Sequence, residues 1–118
     1  MAINTRLEKD GDILVIEAPR RLGADVAGEL REILKRAVED GIYRLVVDLS
    51  RTETVDSTGL GAMVSRIALA RSNGGDVRLA APNSFVRNLL QITHLDQVFK
   101  DYSDTASAVA SFDDKRSA

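Results

Sequence analysis

The run Leu45-Val46-Val47-Asp48-Leu49-Ser50 narrows the fold more than any other part of the sequence. It is almost wholly apolar, shorter than a helix and without the alternation of a half-exposed strand. It therefore reads as a central strand covered on both faces. Such a strand belongs to a parallel sheet, whose members are joined by helical crossovers. The flanking sequence supplies the helices. Before the run, Val26, Leu30, Ile33, Leu34, Ala37 and Val38 form one apolar stripe at helical spacing, with Asp25 as the expected cap and Gly41 as the stop. After it, a second helix is expected over about Thr58 to Ser72, with Leu60, Met63, Val64, Ile67 and Ala68 inward.

The remaining pattern completes one domain. Residues 3–8 carry Ile3, Thr5 and Leu7 in loose alternation, as an edge strand would, and Asp10-Gly11-Asp12 turns into a more buried strand at Ile13-Leu14-Val15-Ile16. Val77-Arg78-Leu79-Ala80 is the next strand. Pro82-Asn83-Ser84 opens a helix with Val86, Leu89 and Leu90 inward, and a last short strand is expected within Leu95 to Phe99. A final helix over Ser103 to Phe112 would be built on Ala106, Val109 and Ala110. The expected fold is α/β, a mostly parallel central sheet with an antiparallel edge strand and helices packed against it. It occupies residues 1–112 as one domain, with 113–118 as a frayed tail.

Charge and composition exclude several classes of function. With 16 basic and 18 acidic residues, the net charge of -2 gives no electrostatic case for nucleic acid or an anionic membrane. The absence of cysteine removes disulfides and thiolate metal sites, which fits a cytoplasmic protein. No segment approaches the roughly 20 apolar residues needed to span a bilayer, and the N-terminus does not read as a signal peptide.

What remains is the junction Val55-Asp56-Ser57-Thr58-Gly59-Leu60-Gly61. It follows the central strand, on the side of the sheet where open α/β folds bind ligands, and it starts a helix at a pair of hydroxyls. Two readings fit. Asp56 or Ser57 caps the helix while the glycines permit close packing. Alternatively Ser57 accepts a phosphate, which unpaired backbone N–H groups at a helix start tolerate, and the surrounding surface is a docking site. The two are compatible.

With Val46-Val47-Asp48-Leu49-Ser50 before it, and Val77-Arg78-Leu79-Ala80-Ala81-Pro82-Asn83-Ser84, Val86-Arg87-Asn88-Leu89-Leu90 and Thr93-His94-Leu95-Asp96 after it, this junction resembles the STAS domain family. In particular it resembles bacterial anti-sigma factor antagonists, over nearly the whole chain. The resemblance implies a partner switch. Unphosphorylated, such a protein binds an anti-sigma factor that is itself a serine kinase, and so frees the sigma factor. Phosphorylation at the position of Ser57 ends the binding, and a phosphoserine phosphatase resets it. Thr58 is the secondary acceptor, Asp56 orients the acceptor or contacts the kinase, and Gly59 and Leu60 complete the partner surface. One stretch departs from the family's Gly-x-Leu-Asp pattern. Here it is Arg20-Arg21-Leu22-Gly23, so Arg20 and Arg21 are candidates for contact with a partner or with a phosphate on Ser57.

Other residues have plainer readings. His94, the only histidine, has no evident route to Ser57, so no catalytic group is expected. Asp48 lacks companions for a metal site, and Gly59-Leu60-Gly61 lacks the spacing of a phosphate-cradling loop, so neither metal nor cofactor is expected. Met63, Phe85, Phe99 and Phe112 read as packing residues, and the chain is expected to be a monomer. The alternative to the kinase-controlled switch is a scaffold or accessory subunit of a stressosome, lipid-transport or secretion-control complex.

Overall fold

A computed structural model describes residues 3–113. The chain opens with the antiparallel hairpin β1 (Asn4–Glu8) and β2 (Ile13–Glu17). The short strand β3 (Arg21–Leu22) leads into helix α1 (Ala24–Glu39). Strands β4 (Arg44–Asp48) and β5 (Thr54–Val55) follow, and then helices α2 (Ser57–Val64) and α3 (Ile67–Ser72). Strand β6 (Asp76–Ala80), helix α4 (Ser84–Ile92), strand β7 (Asp101–Tyr102) and helix α5 (Thr105–Ala110) complete the order. The main sheet runs β1-β2-β4-β6-β7, and β3 and β5 form a separate two-stranded ribbon. Every pairing but β1 with β2 is parallel.

The central strand is β4, as the apolar run requires. Its period-two pleat sends Leu45 and Val47 into the larger core under α1, α2, α3 and α4, and Val46 into the smaller core under α5. Strand β6 divides likewise. Val77 and Leu79 join the larger core, while Asp76 and Arg78 are buried without belonging to it. A charge is tolerated there because it is paired. Arg78 donates to Asp76 Oδ2 at 3.1 Å and to Ser111 Oγ at 2.7 Å, and its guanidinium stacks 4.1 Å from the Phe112 ring. Arg71 on α3 donates to the other oxygen of Asp76 at 2.8 Å. One carboxylate thus ties β6 to a neighbouring helix and, through Arg78, to the C-terminal segment.

Several expectations are corrected. Helix α1 starts one residue before Asp25, with Gly23, which has no side chain to offer, at the cap position. The long second helix is two helices. Ser65 donates its hydroxyl to the Ala62 carbonyl at 2.7 Å, competing with the helical ladder, and Arg66 leaves helical geometry at φ -123°, ψ 10°. Ala68 consequently faces solvent, and Ala70 is buried instead. A 3-10 turn occupies Leu95–Gln97, so the last strand lies further on, at β7. Helix α5 buries Ala108 and Val109 and leaves Ala106 and Ala110 outward, since alanine is tolerated on either face. Met63, Phe99 and Phe112 are buried, as packing residues should be. Asp113 pairs with Lys9 at 3.1 Å, and 114–118 of the expected tail lie outside the described residues.

Two glycines separate space from flexibility. A Cβ on Gly75 would run into the backbone carbonyl of Tyr43, beside the start of β4, whereas a Cβ on Gly28, within α1, would meet nothing. Gly75→Ala is therefore expected to cost about 3 kcal/mol by forcing the backbones apart. Gly28→Ala is expected to stabilise by about 0.5–1 kcal/mol through helix propensity. Urea unfolding of the two variants checks both signs.

Candidate functional site

The site is assembled where β4 ends. The Leu49 N–H donates to the Ala80 carbonyl at 2.8 Å, which carries the chain past β6. The following loop is pinned from two sides. Buried Thr52 donates its hydroxyl to the Pro19 carbonyl at 2.9 Å, and the Asn83 side-chain amide donates to the carbonyls of Thr52 and Glu53, each at 3.2 Å. Strand β5 then pairs with β3, and the Asp56 N–H donates to the Leu22 carbonyl at 3.2 Å. These bonds fix the direction in which α2 departs.

Asp56 caps that helix. Its Oδ1 accepts from the N–H groups of Thr58 at 2.9 Å and Gly59 at 3.0 Å, and from the Thr58 hydroxyl. These donors, the Thr58 hydroxyl foremost and the Gly59 N–H next, hold the Asp56 carboxyl below the ordinary aspartate range. Gly59 is required for space, because a Cβ there would penetrate the Leu22 carbonyl. The first turn of α2 thus rides directly on the backbone of β3. The capping reading of the sequence is correct for Asp56, not for Ser57.

Ser57 is the first residue of α2 and is exposed. The Thr58 hydroxyl is committed to Asp56, so of the hydroxyl pair it is Ser57 that is left without a side-chain partner among the described residues. Arg21, Leu22, Gly23, Val55, Asp56 and Phe85 border an open groove of about 530 Å³ that reaches Asp56, the residue before Ser57 in the chain.

The structure sorts the expected partner surface. Asp56, Ser57, Thr58 and Arg21 converge at this end of the sheet. Gly59 is there too, but buried as a packing point. Leu60 is 6% exposed and belongs to the larger core, as its place on the inward stripe of the second helix predicts, so it does not form part of the partner surface. The exposed apolar residue at the groove is Phe85, at 50%, where packing was expected. Its place two residues after the Asn83 cap was the available signal, because the inward positions of α4 are Val86 and Leu90. Arg20 is engaged with Glu53 at 3.0 and 3.3 Å, and this hydrogen-bonded pair raises the arginine and lowers the carboxyl. His94 follows the far end of α4, a helix of nine residues, about 13 Å from the end that Phe85 occupies. Among the described residues no three potential ligands are grouped for a metal ion, and no helix is long and apolar enough to cross a membrane.

Residues 4–108 match the family model of the STAS domain. A protein of Thermotoga maritima, provisionally named an anti-sigma factor antagonist, is 26% identical over 99 residues, which are 83% of this chain and 88% of its own length. A crystal structure from the same organism, under the same provisional name, aligns with a TM-score of 0.84 at 24% identity over 94% of each chain. The Bacillus cell fate determinant SpoIIAA, solved in its phosphorylated form, aligns at 0.73 and 19% identity over 92% of this chain and 97% of its own.

The Asp56 cap has a pH signature. Its folded carboxyl is held below the ordinary value of 3.8, so its stabilisation is complete above about pH 4 and is lost as pH falls through the depressed value. Asp56→Asn is expected to flatten this part of the acid limb of a stability–pH curve, as read by urea midpoints from pH 7 down to pH 2. Ser57→Ala, at an unpaired surface hydroxyl, is expected to shift stability by no more than about 0.5 kcal/mol.

Proposed function

The chain belongs to the STAS domain family, and on that footing we propose that it is an anti-sigma factor antagonist whose binding is switched at Ser57. Unphosphorylated, it binds an anti-sigma factor and releases the sigma factor. Phosphorylated at Ser57 by that partner acting as a serine kinase, it lets go, and a phosphoserine phosphatase restores it. The chain's role is to bind rather than to catalyse.

The observation that carries this reading is the inequality of the two hydroxyls. The Thr58 hydroxyl is spent on Asp56, while Ser57 stands exposed at the start of a capped helix, next in the chain to Asp56 at the edge of an open groove. A kinase reaching this surface meets one free nucleophile in a fixed turn. The geometry therefore favours Ser57 over Thr58, which would have to leave its cap to react. The relatives lend support of a general kind: one is named as an antagonist, and the Bacillus neighbour exists in a phosphorylated form.

The effect of the phosphate follows from charge. It adds roughly -1.5 to -2 at pH 7. The start of α2 offers it partial compensation, but Asp56 stands next in sequence as a like charge. The fold survives, while a partner packed over the groove would have to accept or desolvate a dianion. A penalty of about 2.8 kcal/mol is a hundredfold in affinity.

Incubation with ATP and the cognate anti-sigma factor, followed by intact-mass spectrometry, tests the reading. One phosphate is expected on the native protein and on Thr58→Ala, and none on Ser57→Ala. Calorimetric titration of the partner should show at least a hundredfold weaker binding after modification. A phosphate that persists in Ser57→Ala, or affinity unchanged by it, overturns the switch.

A further inference from the structure

We propose that Asp56 is a shared cap, joining the first turn of α1 to the first turn of α2, that Gly23 makes the room for it, and that this bridge positions the turn carrying Ser57. The positioning role rests on Ser57 being the phosphoacceptor; the bridge itself does not.

Helix α1 has no cap of its own. Its cap position is Gly23, which brings no side chain to the exposed N–H groups of the first turn. The backbone there is extended, at φ -134° and ψ -162°, so any residue would be allowed and flexibility is not the reason for a glycine. Space is the reason. A Cβ at Gly23 would lie 2.8 Å from Asp56 Oδ2 and 3.4 Å from its carboxyl carbon. The place a side chain would take is filled by a carboxylate from the other helix.

The two oxygens of that carboxylate face different helices. Oδ1 accepts from Thr58 and Gly59 of α2, and Oδ2 lies against the α1 cap at Gly23, with the Ala24 N–H the smallest of the contributions favouring the charged form. Other charged groups are few. Asp25 on α1 has an oxygen 3.8 Å from the same virtual Cβ, and Arg21 on β3 lines the groove, whereas β5 and α4 present only Thr54, Val55 and Phe85. Ser57 therefore sits on a turn held at both ends of one side chain, and α1 is the fixed body against which it is braced.

The bridge can be read without any partner. Amide shifts of Ala24, Thr58 and Gly59, followed by NMR as pH is lowered from 7 to 2, should move with one midpoint, that of the Asp56 carboxyl. An Ala24 amide that stays still, or follows a different midpoint, overturns the shared cap. In Gly23→Ala the Ala24 response should be lost while Thr58 and Gly59 keep theirs. Retention of all three overturns the role of Gly23. Should that variant not fold, the native titration decides the bridge, and Asp56→Asn, which cannot titrate, should abolish all three responses together.

Phosphorylation kinetics then read the positioning. Gly23→Ala is expected to lower kcat for phosphate incorporation several-fold with KM little changed, since the acceptor is misplaced rather than removed. An unaltered kcat alongside a lost Ala24 response overturns the positioning role. Absence of phosphate on the native protein overturns the switch at Ser57 and the positioning role with it, and the amide titration still decides the bridge.

Discussion

The constraint on which the molecule depends is that β4 is covered on both faces. A strand whose residues alternate between two cores cannot be met by a single layer of helices, so α1 to α4 close one side and α5 closes the other. Parallel pairing to β2 and β6 then obliges the chain to leave the sheet at its carboxyl edge and cross back to re-enter at the amino edge. The loop after β4 has to emerge at the carboxyl edge, where neighbouring strands also finish. The location of the site is a consequence of burying Leu45, Val46 and Val47, not a separate provision.

Within that frame, the local geometry is set by backbone meeting backbone. Gly59 brings α2 against the carbonyl of Leu22, and β5 pairs with β3 immediately before it. The ribbon of β3 and β5 is small, but it fixes where α2 begins relative to α1. Asp56 then satisfies donors that this close approach leaves at the helix start. The charged pair of Asp76 and Arg78 does analogous work on the other side of β6, where it anchors the C-terminal segment around Phe112. Each polar group that is buried or half-buried in these places has its partners, and so each holds a boundary between elements.

Much of this is legible in the sequence because it follows from periodicity. The strands β1, β2, β4 and β6 and the apolar face of α1 are where the alternation and the helical stripe put them. The glycine- and hydroxyl-rich junction after β4 is likewise where an open parallel sheet has its ligand end. What the sequence conceals is decided by contacts between distant segments. The ribbon strands β3 and β5 are two residues each, too short for any period. The break after Val64 depends on one serine hydroxyl finding a carbonyl rather than water. Phe85 looks like any apolar residue next to a helix start, and only the direction in which its helix lies against the sheet tells that it is uncovered. The space around Gly23 depends on a residue 33 positions later in the chain.

The break at Ser65 and Arg66 makes α2 a unit of little more than two turns, with its own beginning and its own end. In a continuous helix, inserting or deleting one residue rotates everything beyond it by about 100°. Here such a change in α3 or the turn after it would be absorbed at the break, and the angle at which Ser57 is presented would stay as it was. The domain is thereby insulated against length changes at its far end, while the end that carries Ser57 keeps a fixed bearing.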